Sequence, residues 1–243
     1  MTPFSNQKRY NLMKPPHRMT RILPAILAPL CFSTGHAATV FADDFSEPDG
    51  TTIIGKAPDV GSAWTGTAPT ISAGTFDTTG AGRAAFANFS VALGAGQVLT
   101  LTYDTLLPAG GAFFTGGYAG VSLYAGGSEQ VFTGDLGIDT FWGVDQPAVG
   151  GAHASTDNTA ATTATLTYFF DTGAWSFTTL SGANLSGTGV SGVAFDQLRI
   201  ANGNGGDIRV DNLMVDISAV PEPSAALLLG LSAAGIGLRR RRA

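Results

Sequence analysis

Between Thr39 and Ser218, apolar residues recur at every second position in short runs, and Gly, Asn, Asp and Pro punctuate those runs. A period of two belongs to strands, whose successive side chains point to opposite faces of a sheet. No stretch of useful length keeps the three-and-four spacing of an amphipathic helix. Leu99, Leu101 and Tyr103 share one face of Gln97 to Leu106, and Leu166, Tyr168 and Phe170 share one face of Thr165 to Phe170. The turn Asp171-Thr172-Gly173 then leads into Trp175, Phe177 and Thr179, which predicts a hairpin. Ile208 and Val210 keep one phase while Leu213, Val215 and Ile217 keep the other, and a β-bulge at Asp211-Asn212 reconciles the two. Short strands with glycine-rich turns over 38–219 predict an all-β chain folded as a two-sheet jelly-roll sandwich.

Two apolar segments flank this region. Lys8, Arg9, Lys14, Arg18 and Arg21 precede the apolar run Ile22 to Phe32, and small residues follow through Gly35-His36-Ala37. This is the three-part layout of a secretory signal peptide over 1–37, with cleavage ahead of Ala38. Eleven residues at about 1.5 Å each reach only about half of a ~30 Å hydrocarbon core, so a cleaved leader fits better than a permanent anchor. Pro24 and Pro29 interrupt the run as well. Met19 offers a second candidate start. The chain's single cysteine, Cys31, lies in the leader, so the exported product contains none and forms no disulfide. Pro29 and Leu30 occupy the positions where small residues precede a lipidated cysteine, which argues against lipid attachment there.

At the other end Val220-Pro221-Glu222-Pro223-Ser224 leads into the apolar run Ala225 to Leu238, closed by Arg239, Arg240, Arg241 and Arg242. The prolines hold the chain extended, and Ser224 suits a helix cap before Ala225. The four arginines stay on the cytoplasmic side of a membrane while the preceding domain lies across it. The three parts in this order resemble the PEP-CTERM sorting signal. That resemblance implies an exosortase as processing partner, with residues 221–223 read as recognition residues. It also implies a Gram-negative host and a mature protein at the cell surface or in the extracellular matrix. The run of 14 residues makes a helix of only about 21 Å, short for a stable span and suited to a temporary stop, with snorkelling arginines covering part of the mismatch.

With the ends set aside, residues 38–219 carry Lys56, Arg83, Arg199 and Arg209 against fifteen aspartates, Glu47 and Glu129, a formal charge of 4 − 17 = −13. A nucleic-acid partner is excluded on this ground, because phosphate binding needs a basic footprint. Bulk attraction to anionic lipid fails for the same reason.

The stretches Phe41-Ala42-Asp43-Asp44-Phe45, Asp49-Gly50-Thr51-Thr52, Pro58-Asp59, Trp64-Thr65 and Val210-Asp211-Asn212-Leu213 resemble those of concanavalin A-like, laminin-G-type sandwiches. In that fold the first and last strands pair, which implies that Asp44 comes near Asp211. These two are the candidate calcium ligands, since carboxylate and carbonyl oxygens suit that hard cation. The exported region has one histidine, His153, in a small-residue loop, and no Gly-x-Ser-x-Gly elbow, so nucleophilic catalysis finds little support. It also lacks the Glu-x-Asp-x-x-Glu strand motif of the glycoside hydrolases built on such sandwiches. No catalytic residue is assigned, and the expected function is that of a non-enzymatic surface or matrix protein. The alternative is a lectin-like module for exopolysaccharide, which needs only an aromatic platform and a few polar groups. Trp142 with Asp139 and Asp145 is the candidate sugar site, Trp64 a second platform, and Trp175, alternating with Phe177, is expected in the core.

Overall fold

A computed structural model describes residues 36–67, 69–78, 82–107, 117–137, 141–146, 150–153 and 159–220. Leader residues 1–35, Pro221 to Ser224, the helix expected over 225–238, Arg239 to Arg242 and Asp139 lie outside the described residues. The chain divides into units Met1–Ser33 and Thr34–Ala243, and every described residue belongs to the second.

Fifteen strands occur among the described residues: β1 (Ala38–Asp43), β2 (Thr65–Thr67), β3 (Thr70–Ser72), β4 (Thr75–Asp77), β5 (Ala84–Asn88), β6 (Gln97–Leu106), β7 (Tyr118–Ala125), β8 (Ser128–Leu136), β9 (Trp142–Asp145), β10 (Ala152–His153), β11 (Thr162–Phe169), β12 (Ala174–Thr179), β13 (Asn184–Thr188), β14 (Gln197–Gly203) and β15 (Arg209–Ala219). They form two wholly antiparallel sheets. One runs β13-β12-β11-β6-β15-β4-β3, with β1 also paired to β15; the other runs β10-β9-β8-β7-β14-β5-β2.

The period-two runs place one set of side chains between the sheets. Leu99, Leu101 and Tyr103 of β6, Leu166 and Tyr168 of β11, and Val210, Leu213, Val215 and Ile217 of β15 are buried there. They meet Val121 and Leu123 of β7, Val131 of β8, Val144 of β9, and Leu198 and Ile200 of β14 in one core. Tyr103 carries its hydroxyl into that core, where it sits 3.0 Å from Thr133 Oγ1; burial pushes its phenol far up. Phe195 meets Tyr168 edge-on at 4.9 Å.

The hairpin expected from Asp171-Thr172-Gly173 is β11–β12, with Leu166 opposite Phe177 and Tyr168 opposite Trp175. The phase change in β15 is a bulge, with Asp211 and Met214 on successive pairs to β6 and Asn212 at φ 47°. First and last strands do pair, Ala38 with Ile217 and Asp43 with Leu213. On one edge of β15, Arg209 and Val210 therefore pair with β4, and the residues beyond the bulge pair with β1.

Candidate functional site

The outer face of the seven-stranded sheet carries the chemistry. Residues opposite one another in antiparallel strands share a face. Tyr118 pairs with Leu136, Ser122 with Phe132, and Phe132 in turn with Asp145. Arg199 lies between Ser122 on one side and Phe86 on the other. These side chains alternate with the buried Val121, Leu123, Val131, Val144, Leu198 and Ile200, so all of them point away from the core.

Two glycines let rings approach this sheet closely. A Cβ on Gly203 would sit 2.3 Å from Tyr118 Cε1, and one on Gly120 would sit 2.8 Å from Phe132 Cζ. With only hydrogens beneath them, the Tyr118 and Phe132 rings pack against backbone and meet each other nearly edge-to-face at 6.2 Å. Beside them Arg199 Nη2 donates to Glu129 Oε1 at 2.6 Å and to Ser122 Oγ at 3.1 Å. The Ser122 hydroxyl donates to the same Glu129 oxygen at 2.5 Å. The Arg199 guanidinium also lies 5.3 Å from the Tyr124 ring centre, and Tyr124 packs edge-on against Phe86 at 5.6 Å. Burial pushes the Tyr124 phenol up while Arg199 pulls it down. Tyr118, Glu129, Phe132, Leu136, Asp145 and Arg199 line a depression of about 290 Å³, close to the lower bound of small-ligand sites.

This arrangement revises the expectation for Trp142. Its side chain is fully buried on the inner face, 5.8 Å from Phe177 and 6.4 Å from Tyr103, with its indole N–H donating to Thr159 O. A ring enclosed on both faces offers no platform to a sugar. The reason is register: Trp142 pairs with the buried Asp135, one residue out of phase with Gly143 on the outer face. Asp145 is exposed on that outer face and does reach the depression. Trp64 is likewise enclosed, against Phe41, Phe45 and Phe76, and Trp175 is in the core as its alternation with Phe177 predicts. His153 pairs through its backbone with Gly143. The side chains that do form the face, Tyr118, Phe132, Arg199 and Glu129, were legible only as the polar or aromatic phase of strands whose partners the sequence does not specify.

A second feature lies where β1 ends. Asp43, Asp44 and Asp59 bring carboxylate oxygens within 4.8 Å of one another. Asp43 is buried and already engaged: Oδ1 accepts from Lys56 Nζ at 2.5 Å and from Phe45 N–H, and Oδ2 accepts from the Trp64 indole N–H at 2.7 Å. Burial raises its pKa, against the pull of Lys56, Trp64 and Phe45. Asp44, exposed and bonded by Ser46, is shifted down. Lys56 also contacts Glu47 at 2.8 Å. The structure thus groups Asp44 with Asp43 and Asp59 rather than with Asp211. Asp211 accepts the Asn212 N–H, and its pKa is raised by burial and then by the charges of Asp104, Asp44 and Asp43. The donor set suits a hard cation in kind, but Lys56 already supplies positive charge at Asp43, which leaves Asp44 and Asp59 as the freer ligands.

Residues 219–242 match the PEP-CTERM protein-sorting motif. That motif is the substrate signal of the exosortase sorting system, so an exosortase is the chain's processing partner, on a route of export and membrane-linked processing. No curated protein matches the chain in sequence. Among solved structures it is similar to a seed lectin of Lotus tetragonolobus, at 12% identity and TM-score 0.46, over 76% of this chain and 100% of that one. It is similar to a legume lectin-like domain from Entamoeba histolytica at 13% identity and TM-score 0.45, over 65% and 90%. It is also similar to the Crh5 transglycosylase at 14% identity and TM-score 0.45, over 79% and 86%. The tail therefore identifies how the chain is sorted, by the PEP-CTERM motif at its C-terminus.

Proposed function

We propose that the exported domain is a non-catalytic carbohydrate-binding module, held at the cell surface or in the extracellular matrix after exosortase processing. The observation that carries this reading is the pair of rings, Tyr118 and Phe132, set close against glycine backbone beside the Arg199–Glu129 pair in one depression. Phe132 is buried and supports the half-buried Tyr118, whose ring is the one left to meet the C–H face of a sugar, while the guanidinium and carboxylates orient its hydroxyls. A neutral glycan fits better than an acidic one, because the domain's formal charge of −13 repels polyanions at long range.

Glu129 Oε1 accepts from both Arg199 and Ser122, the geometry of an anchor rather than of a mobile proton donor, which favours binding over glycoside hydrolysis. The test is binding of the purified exported protein to a glycan array and to exopolysaccharide from the host, with a reducing-sugar assay alongside. Binding that Tyr118→Ala abolishes, without sugar release, supports the reading. No glycan bound, or sustained release of reducing ends, defeats it.

Calcium is the proposed cation for Asp43, Asp44 and Asp59. A rise in melting temperature with calcium, absent in Asp59→Ala, is the expected result, since a ligand of the native state alone stabilises it.

A further inference from the structure

We infer that β13 is an interface, at which the eight-stranded sheet continues into that of a second copy of this chain across a two-fold axis at Ser186. Two domains joined this way present their Tyr118 depressions on the same side, and that consequence alone rests on the glycan-binding reading.

The strand is a free edge. Gly189 N–H donates to Gly173 O at 2.8 Å and Thr179 N–H to Ala183 O at 3.0 Å, which fixes the alternation of the β12–β13 ladder. Leu185 and Gly187 turn their backbone groups toward β12, while Asn184, Ser186 and Thr188 point theirs away from it. Those three residues are exposed, and nothing among the described residues bonds to that side of them. The opposite edge of the sheet is closed: Gly50 N–H donates to Ile71 O at 2.8 Å, and Ile71 N–H to Thr51 O at 2.9 Å. In the seven-stranded sheet the edge strands β2 and β10 have only three and two residues.

Unpaired edges are ordinarily guarded by charge, proline or a bulge. From Thr172 to Phe195 the chain has no charged residue and no proline, within a region of formal charge −13, and the β12–β13 ladder runs without a register shift. The sequence of the edge selects a second copy as its occupant. Asn184-Leu185-Ser186-Gly187-Thr188 is complementary to itself when two such strands run antiparallel about Ser186. Ser186 then faces Ser186, Asn184 faces Thr188, and Leu185 lies beside Gly187, which has no side chain to oppose it. This register joins the backbone groups that point outward, and its hydrogen-bonded pairs supply about six bonds. Leu180 and Val190, 83% and 43% exposed, flank the strand, and the two-fold brings each Leu180 to the second copy's Val190. Both ends of the seam thereby lose exposed apolar surface. Because opposed residues share a face, the axis stands perpendicular to the joined sheet and both seven-stranded sheets lie on one side of it.

The test uses the purified exported protein, with Cys31→Ser in its gene so that an introduced cysteine has no competitor. Ser186→Cys should give a disulfide-linked dimer under mild oxidation, since opposed residues of a hydrogen-bonded pair place their Cα atoms about 5.5 Å apart. Thr178→Cys, exposed on the same face one strand inward, should not, because its two copies lie at least about 14 Å apart. Sedimentation equilibrium should show a monomer–dimer equilibrium that salt strengthens by screening the repulsion between acidic domains. Ser186→Lys should be monomeric, and so should Ser186→Pro with its circular dichroism unchanged, because the proline removes only an N–H that β12 does not use. On immobilised exopolysaccharide the wild type should dissociate at least about tenfold more slowly than Ser186→Lys. Wild-type protein that stays monomeric at every concentration, or crosslinking at 178 as ready as at 186, overturns the inference. A dimer that binds no glycan overturns the glycan reading and leaves the interface standing.

Discussion

Lys56 places its ammonium 2.5 Å from Asp43 Oδ1, with the lysine side chain 9% exposed and the aspartate fully enclosed. The pair closes the aromatic cluster of Phe45, Trp64 and Phe76, because the other oxygen of Asp43 takes the Trp64 indole N–H. Lys56 also lies 5.5 Å from the Phe45 ring centre.

Removing the cation isolates a buried carboxylate. Lys56→Met is expected to lose about 3–5 kcal/mol of unfolding free energy at neutral pH, the range for breaking a buried pair from one side. The pH dependence follows from the sign. Burial already holds Asp43 above the usual 3.8, and a raised value means that the folded state favours the protonated acid. Its contribution is therefore present at low pH and lost as pH rises through the folded value. The variant should regain stability on mild acidification, which denaturant titrations at several pH values will read. For Lys56 itself, burial pulls its pKa down while Asp43 and Glu47 together hold it above 10.5. The wild-type pair is kept through neutrality and lost only as pH rises beyond that value.

Trp142→Phe separates core from ligand face. The change leaves Thr159 O without the indole N–H and should cost about 1–3 kcal/mol, while glycan binding stays as in the wild type. Paired thermal unfolding and array measurements check both halves. Loss of binding in a folded variant would return Trp142 to the site.

On the outer face, Arg199→Ala removes the partner of Glu129, whose side chain is 27% exposed. Partial solvation limits the stability loss to about 1 kcal/mol, yet the sugar-orienting donors disappear, so glycan affinity should fall at least about tenfold, or ~1.4 kcal/mol. Tyr118→Phe, which keeps the ring, should retain most of the affinity.

Gly120→Ala tests the close approach of Phe132 to the sheet. The added Cβ would lie 2.1 Å from Thr133 O in the neighbouring strand as well as against Phe132. Backbone cannot withdraw as a side-chain tip can, so a loss of about 1–3 kcal/mol is expected from overpacking, measured by urea unfolding.

Much of the sandwich was legible because alternation reports on single strands. The β11–β12 hairpin follows from Asp171-Thr172-Gly173, and the bulge at Asp211-Asn212 follows from the shift of apolar phase between Val210 and Leu213. Which strands become neighbours is decided by tertiary packing, so the meeting of Tyr118, Phe132 and Arg199 from β7, β8 and β14 left no local signal. Trp142 misled for a related reason. Its aspartate neighbours in sequence suggest a wet loop, yet it is the first residue of β9 and in phase with Val144, which is buried. The acidic cluster was half legible: pairing of first and last strands brings Asp44 toward Asp211, but only the bridge between Ala42 and Val60 brings Asp59 in.

The place of β15 between β6 and β1 governs when folding can finish. The last of the described strands fills an interior position of its sheet, and its partner β1 is the first of them. Contacts of such long sequence separation form slowly, and here they cannot form at all until Arg209–Ala219 has been made. Until then β6, β4 and β1 lack the neighbour they share, and the eight-stranded sheet stays incomplete while every strand of its seven-stranded partner has already been made.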